Sequence, residues 1–456
     1  MFLEQSLIDT VLNEALKNGG QFAEIFVESK NQSGVRFDNG KIEELSNGGS
    51  KGAGIRVIFH SSTGFAHTAD LSEESLIKTA RAASQIAKNE GVIRDISVWK
   101  NNHVPSFAEL GSKNDHIRII EKTNDSAREY GSEIVQVSVD FGNSMRSFQV
   151  ANSDGVNIGE QQARTRLSVT SVAKGDTGLQ TGYESVAETT GLDLFNRMDP
   201  SDIGRESSRR ASIKLQAQPC PSGEITVVLA GGSGGILFHE ACGHGLEADH
   251  IVKDASVYTN KVGHRVASSI VTLVDNGTVG HEWGTSTFDD EGHPTRENVL
   301  IKDGELVGYM YDFQRGSHSN GSSGNGRRQS YKHLPMVRMT NTYLMPGDAT
   351  KDEIISDTKY GIYVAKLGGR SVNTATGDFV FGTIEAYLIE NGKITTPIRD
   401  ANLIGNGPDI LKKIDAIADD FSMMPGTCGK DGQLVPVGCG QPTLRITSVT
   451  VGGTVK

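Results

Sequence analysis

A stop signal near the middle of the chain limits what this sequence can fold into. The segment Gln218-Pro219-Cys220-Pro221-Ser222-Gly223 contains two prolines, which cannot continue the polar helix predicted over residues 200–217. The chain has 456 residues, which is too many for one hydrophobic core and predicts roughly two to four packing units. We therefore expect an N-terminal α+β domain over residues 1–217 and a β-rich C-terminal domain over residues 218–456.

Hydrophobic periodicity predicts both helices and strands in these two domains. In the first domain, helical patterns cover residues 3–17, 72–89 and 115–129, and strands surround turn signals at Asn39-Gly40 and at residues 152–155. In the second domain we predict a helix over residues 236–251 and strands over residues 224–229, 298–301, 306–311, 337–344, 379–389 and 443–451. The 54 glycines suit many tight turns between short strands.

Composition excludes several classes of partner. The formal charge is −11 and no run of Lys and Arg appears, so we expect no nucleic-acid partner and no membrane surface. The longest apolar stretch, residues 225–238, is interrupted by glycines and is shorter than the roughly 20 residues of a membrane span. Glu4 stands where a signal peptide would carry basic residues, and only four cysteines occur, so a cytoplasmic location is expected.

Residues 316–328 form a stretch rich in Gly, Ser and Asn that has no apolar anchor. Such a composition is typical of a flexible surface loop, which is the interpretation we favour. The alternative is a mobile lid over a site.

The segment His239-Glu240-Ala241-Cys242-Gly243-His244 carries the candidate chemistry. Zinc peptidases need neutral imidazoles to hold the metal and a carboxylate that takes a proton from water. The two histidines are five positions apart, and five steps of a regular helix rotate roughly 140° beyond a full turn, so the rings would diverge. A single π-bulge would realign them, and Gly243 makes a local distortion of the backbone cheap.

A catalytic zinc site needs a third protein ligand. The candidates are Cys242, Glu247, His250, His264, His281, His293, Cys428 and Cys439. Cys428 lies in a loop bounded by Gly426 and Gly429, where a thiolate can approach a metal closely. Cys439 has a similar setting, so chemistry alone prefers Cys428 only slightly.

Several separate motifs resemble the TldD/TldE (PmbA) family and occur in that family's order across nearly the whole chain. They are residues 238–247 around the His-Glu segment, Phe288-Asp289-Asp290-Glu291-Gly292, Arg338-Met339-Thr340-Asn341-Thr342, Cys428-Gly429-Lys430-Asp431-Gly432-Gln433, Val435-Pro436-Val437-Gly438 and Gly440-Gln441-Pro442-Thr443. The intact His-Glu-x-x-x-His is similar to the TldD side of the family and not to the metal-free TldE side.

This resemblance implies a fold, a cofactor and a set of site residues. The implied fold class is α+β, with two lobes, mixed and antiparallel sheets, and a metal-bearing helix in the C-terminal lobe. The implied cofactor is Zn²⁺, held by His239, His244 and Cys428, with Glu240 as the general base. Cys439 stands where relatives commonly have an aliphatic residue and Cys242 at a variable position, so both are expected to be structural.

The function expected from these motifs is zinc-dependent hydrolysis of unfolded or short peptides, by metal-activated water with Glu240 as the base. The partners expected are the peptide substrate and a second subunit, either TldE-like or identical. The rival interpretation is a non-enzymatic scaffold whose zinc site is structural and closed by a fourth ligand such as Glu247. Asp289, Asp290 and Glu291 either contact substrate or orient a ligand, or simply form a solvated acidic turn.

Overall fold

The structure is a computed structural model that describes residues 2–60, 62–85, 100–106, 108–316, 321–373 and 376–453. The elements up to residue 217 are α1 (Gln5–Leu16), β1 (Phe22–Asp38), β2 (Lys41–Phe59), β3 (Ser62–Thr68), α2 (Glu73–Ser84), β4 (Lys100–Val104), α3 (Lys113–Arg128), β5 (Ile134–Asn152), β6 (Val156–Gly175), β7 (Gly178–Glu188), α4 (Leu194–Arg197) and α5 (Pro200–Gln216).

The remaining elements are short strands and short helices. They are β8 (Gln218–Pro219), β9 (Gly223–Leu229), α6 (Gly235–Ala241), a 3-10 turn (Gly243–Leu246), α7 (Ala248–Val252), β10 (Leu273–Asn276), β11 (Glu297–Lys302), β12 (Glu305–Leu306), α8 (Phe313–Gly316), β13 (Gly326–Arg327), β14 (Met336–Val337), β15 (Asn341–Leu344), α9 (Lys351–Ser356), β16 (Tyr360–Asn373), β17 (Asp378–Glu390), β18 (Lys393–Arg399), β19 (Asn402–Asn406), α10 (Gly407–Lys413), β20 (Ile414–Ile417), β21 (Ser422–Lys430), β22 (Gln433–Gln441) and β23 (Leu444–Gly452).

The first sheet has the strand order β3-β2-β1-β5-β6-β4, with β7 also paired to β6. Its strands pair antiparallel, except that the short β4 pairs parallel to β6. The β1–β2 hairpin turns at Asn39 and Gly40, which both have positive φ, as the Asn-Gly signal predicts. One face of this sheet buries apolar side chains beneath α1 and α2, and a second apolar cluster lies beneath α3 and α5.

Two further large sheets build the second half of the chain, together with the two-stranded sheet of β13 and β14. One runs β12-β11-β10-β15-β22-β21, with β15 and β22 parallel, and the other runs β16-β9-β23-β19-β17-β18-β8. The fold class is therefore α+β with mixed and antiparallel sheets, as expected. All strands of the first sheet precede residue 217 and all described strands of the other two follow it, which supports our proposal of a boundary at residues 217–218.

Some predicted elements are wrong in detail. The strand predicted over residues 306–311 is reduced to β12, Glu305–Leu306, and to an isolated bridge between Met310 and Glu247. The predicted strand at 337–344 is two strands, β14 and β15. The predicted helix over 72–89 ends as α2 at Ser84, and residues 86–89 lie outside the described part of the chain.

The stretch at 316–328 is not a flexible surface loop over its described residues. Ser323, Asn325 and Arg327 are buried, and Asn325 donates its side-chain amide to Asp275 at 2.7 Å and to the Arg338 carbonyl at 3.0 Å. The sequence lacks apolar anchors there because polar side chains fix this segment. Residues 317–320 lie outside the described residues.

Candidate metal centre

The Gly-rich turn after β9 places α6 directly against the backbone of β22. Gly235 opens α6, and a Cβ atom there would lie 2.5 Å from the Cys439 carbonyl carbon and from the Gly440 nitrogen. Only glycine allows the helix to come so close to the strand. His239 and Glu240 sit in the last turn of this helix, and both are buried.

The two histidines, five positions apart, come together because the helix ends between them. The expected π-bulge and the expected continuous helix over 236–251 are both wrong, because α6 stops at Ala241 and Cys242 leaves helical geometry with φ −124° and ψ −51°. A 3-10 turn over Gly243–Leu246 then redirects the chain. The His239 and His244 rings meet with centroids 5.2 Å apart at an interplanar angle of 83°.

Gly243 makes this turn possible because Met339 occupies the space where a side chain at position 243 would lie. A Cβ atom at Gly243 would lie 2.2 Å from the Met339 Sδ atom. The backbone is therefore distorted at Gly243, as predicted, but by a helix end and a 3-10 turn instead of a π-bulge.

The structure brings Cys428 to the two histidines. Cys428 lies on β21, and its Sγ atom is 3.5 Å from His244 Nε2. One ligand atom from each of His239, His244 and Cys428 lies within 4.8 Å of the others, and all three residues are buried. Both ring nitrogens of His239 are buried without a hydrogen-bond partner in the described structure. Such orphaned nitrogens are costly unless they bind something, so these residues fit a metal ion.

The charges within the cluster favour a thiolate at Cys428. Burial alone raises the pKa of this thiol, but His244 and His239 outweigh burial and bring the pKa well below its usual value. The pKa of Cys242 moves the other way, to about 12, because burial dominates beside Tyr258. A metal binds the thiolate form, so the lowered pKa suits Cys428 to be a ligand and the raised pKa disfavours Cys242.

Glu247 fixes the orientation of the His244 ring. Its Oε2 atom lies 2.9 Å from His244 Nδ1. Burial alone raises the pKa of Glu247, but the charges of His244 and Lys430 outweigh burial and bring the pKa below its usual value. The carboxylate is therefore ionised and can only accept hydrogen bonds. In the neutral ring, Nδ1 therefore carries the hydrogen and the lone pair of Nε2 faces Cys428.

Lys430 also holds Glu247 in place, at the same oxygen that contacts His244. The Lys430 ammonium donates to Glu247 at 2.8 Å, to Asp249 at 2.7 Å and to the Val337 carbonyl at 3.1 Å. Lys430 and Asp249 were not predicted as site residues. Lys430 stands two positions after Cys428 in a quoted motif, and this proximity was the available signal.

Glu240 lies beside the cluster without belonging to it. Its Oε2 atom is 3.8 Å from His244 Nε2, and its side chain is 11% exposed. A carboxylate at this position can reach a water molecule held between it and the cluster.

Among the described residues, no other candidate ligand belongs to this cluster of three. His264 and His281 are exposed, His250 is 3.9 Å from Glu247, and His293 is 3.7 Å from Asp289. Cys439 is buried near Cys428 and helps to raise the pKa of His239, but it is not part of the cluster of three.

The acidic run at 289–291 is not a solvated turn, and that interpretation is wrong. All three side chains are buried. Asp290 pairs with Arg146 at 2.8 Å, and Glu291 pairs with Arg56 at 2.8 Å. Both arginines come from the first sheet, so this run joins the two halves of the chain.

Comparison with known proteins gives the family. Sequence models of the PmbA/TldA metallopeptidases match residues 23–87 (domain 1), 112–215 (central domain) and 222–453 (C-terminal domain). The chain belongs to the PmbA/TldD family.

Relatives in this family match along their whole length. A metalloprotease TldD homolog from Haemophilus influenzae is 37% identical, covering 95% of this chain and 93% of the relative. A metalloprotease from Methanocaldococcus jannaschii is 34% identical, covering 95% and 97%. A zinc metalloprotease TldD homolog from Saccharolobus solfataricus is 28% identical, covering 97% and 99%.

Two solved structures share the fold of this PmbA/TldD chain. A putative modulator of a DNA gyrase from Thermotoga maritima aligns with a TM-score of 0.81 at 21% identity, covering 98% of this chain and all of that one. TldE from Thermococcus kodakarensis aligns with a TM-score of 0.77 at 20% identity, with the same coverage. Among the described residues, no helix is long and apolar enough to cross a membrane.

Proposed function

We propose that this protein is a zinc-dependent peptidase that hydrolyses unfolded or short peptides. The observation that carries the proposal is the buried meeting of His239, His244 and Cys428 with Glu240 beside them. Nitrogen and sulfur ligands of this kind suit zinc better than magnesium or calcium, which prefer oxygen. The zinc metalloprotease name of the Saccharolobus relative points the same way.

Three protein ligands favour a catalytic site over a structural one. A structural zinc site is closed by four protein ligands, whereas a catalytic site keeps one position open. Glu247, the fourth ligand considered for a scaffold, is not part of the cluster of three. Its Oε2 atom bonds to His244 and Lys430, while its buried Oε1 atom has no hydrogen-bond partner in the described structure. The scaffold interpretation is therefore the weaker one.

Zinc bound by these residues would act as a Lewis acid on the peptide carbonyl and make water acidic enough to lose a proton near neutral pH. Glu240 takes that proton and later delivers it to the leaving amine. Glu247 keeps the His244 ring in the orientation that leaves Nε2 free for the metal. No serine or cysteine nucleophile is needed.

The strand that carries Cys428 also offers a place for the peptide. β21 is the last strand of its sheet, so its outer edge can accept an added strand through backbone hydrogen bonds. A cavity of about 410 Å³ runs along this strand from Met424 to Thr427 and is also lined by Trp283. Backbone pairing does not depend on side-chain identity, so we expect weak sequence preference.

We further propose that the protein works as a dimer, with either a TldE-like chain or a second copy as its partner. The fold it shares with TldE from Thermococcus kodakarensis supports a pairing of two similar chains. We also propose a cytoplasmic location, supported by the four cysteines, which are all free.

The test uses one small protein in its folded form and as a destabilised variant that is unfolded under the same zinc and pH. A folded domain must open locally before an extended segment can reach β21, and such opening costs up to its global stability. We expect rapid cleavage of the unfolded variant and resistance of the folded form, with and without a TldE-like partner present. Equal cleavage rates for the two forms would contradict the proposed substrate class.

A further inference from the structure

A cavity of about 200 Å³ lies beside β21, the strand that carries Cys428, and most of the charged residues that line it are cations. It shares Thr427 and Trp283 with the longer cavity along β21, and Thr427 directly precedes the ligand Cys428. The charged residues that line it are five cations and one carboxylate: Lys30, Arg146, Arg164, Arg327, Arg328 and Asp290.

Two of the five cations are neutralised by the protein. Arg146 pairs with Glu28 at 2.6 Å and with Asp290 at 2.8 Å, and Arg328 pairs with Glu24 at 2.5 Å. These pairs belong to the network that joins the two halves of the chain. They therefore account for Asp290, which is the only carboxylate among the described residues that line the cavity.

The other three cations, Lys30, Arg164 and Arg327, have no carboxylate within 4 Å in the described part of the chain. Arg164 is 9% exposed, its Nη1 donates to the Gln162 side chain at 2.9 Å, and its buried Nε has no partner. Arg327 is also buried and donates to two backbone carbonyls, those of Met339 and Pro436. The cavity therefore has an excess of positive charge.

This excess has an electrostatic cost in the free protein. Burial, followed by repulsion from Arg146 and Arg327, lowers the pKa of Arg164 to about 9. Burial likewise lowers the pKa of Arg327 to about 10. Both groups remain cationic at neutral pH, so an anion that enters the cavity gains a charge interaction that their hydrogen bonds to neutral groups do not supply.

We propose that this cavity is a subsite for a carboxylate of the peptide substrate, supplied either by a free C-terminus or by an acidic side chain. This inference rests on the proposed peptidase function. A carboxylate is the anionic group that an unmodified peptide carries, and the planar guanidinium of arginine binds it through paired hydrogen bonds. The volume suits one small group, because sites for larger ligands are commonly about 300–1,000 Å³.

The geometry gives this subsite a defined place on the substrate. A strand added to β21 passes Thr427, where the longer cavity meets the cationic one. The carboxylate is therefore bound within a few residues of the bond that faces Cys428. Backbone pairing supplies general affinity, and the cavity selects where along the peptide cleavage occurs.

The test measures binding to the zinc-loaded Glu240→Gln variant by fluorescence anisotropy. The probe is one labelled, unstructured peptide in three forms: a C-terminal acid without acidic side chains, the corresponding amide, and an amide with one Gln replaced by Glu. We expect the neutral amide to bind at least about tenfold more weakly than one of the carboxylate forms, because charge-assisted hydrogen bonds are lost. The form that binds more tightly identifies the source of the carboxylate.

Additional substitutions then assign the effect to the cavity. The ratio that matters is the dissociation constant of the neutral amide divided by that of the tighter carboxylate form. In Arg164→Gln and Lys30→Gln this ratio is expected to fall toward one, and Arg164→Lys should retain part of the difference. Arg118→Gln is the matched control, since Arg118 is 78% exposed on α3 and does not line the cavity. Lys30 is only partly buried, so Lys30→Gln carries the test if Arg164→Gln does not fold.

Two results would overturn the inference: a ratio near one before any cavity residue is changed, or a ratio that Arg164→Gln and Lys30→Gln leave intact. Hydrolysis by the unmodified protein is measured in parallel. Cleavage without carboxylate preference refutes the subsite alone, and carboxylate preference without cleavage refutes the peptidase function alone. Absence of binding by all three peptides refutes both.

Discussion

Replacing Glu247 by Gln is expected to weaken zinc binding although Glu247 is not one of the proposed ligands. Its carboxylate accepts the Nδ1 hydrogen of His244 at 2.9 Å and keeps Nε2 turned toward Cys428. The glutamine has nearly the same shape but carries no charge. It can also present its amide nitrogen to the ring and thereby disfavour the required tautomer.

The magnitude follows from the bond that is lost. A buried hydrogen bond to a charged group contributes about 1.5–3 kcal/mol, which corresponds to a factor of roughly 10–100 in an equilibrium constant. Glutamine retains one acceptor oxygen, so we expect the lower end, about tenfold weaker zinc binding. Loss of partners that orient metal-bound histidines commonly costs about 10–100-fold in affinity.

Competition with a chromogenic chelator measures this affinity, and Asp249→Asn is the matched control. Glu247 and Asp249 each give Lys430 one carboxylate partner, but only Glu247 contacts His244. Thermal unfolding of both variants reports the shared loss at Lys430. If Asp249→Asn weakens zinc binding as much as Glu247→Gln does, the orienting role of Glu247 is wrong.

Four other substitutions test three separate parts of the structure. Cys428→Ala should lose zinc while Cys439→Ala keeps it, measured as bound metal per chain; the opposite result would mean that the wrong cysteine was chosen. Gly243→Ala should lower stability by about 1–3 kcal/mol in denaturant unfolding, because its Cβ meets Met339. Burial and a nearby carboxylate raise the pKa of Glu282 to about 7, so its contribution to stability falls as pH rises from about 4.5 to 7. Glu282→Gln should therefore raise the melting temperature at pH 8 but not at pH 4, and an equal shift at both would contradict this assignment.

Local signals in the sequence predicted the regular elements of the first half well. The helical pattern over residues 3–17 corresponds to α1, and the pattern over 115–129 corresponds to α3, which begins with a capping box at Ser112 and Asp115. The turn at residues 152–155 separates β5 and β6 as expected. Periodicity and turn chemistry suffice where a long element packs one face on a core.

The predictions that failed depend on residues distant in sequence. The π-bulge was inferred from α6 alone, but the path of the chain at Gly243 depends on Met339. A solvated turn was one of the two interpretations of the acidic run at 289–291, because its partners, Arg56 and Arg146, lie more than 140 residues earlier. Spacing within a motif cannot contain such information, since tertiary packing supplies it.

The central claim is that Glu240 acts on water at a zinc ion held by His239, His244 and Cys428. Its most direct test is the Glu240→Gln variant, measured for bound zinc and for hydrolysis of an unstructured peptide in the same preparation. We predict zinc content equal to that of the unmodified protein and a rate lower by about 10²–10⁴-fold, because the base is lost and the ligands remain. Undiminished hydrolysis with zinc fully bound would contradict the account.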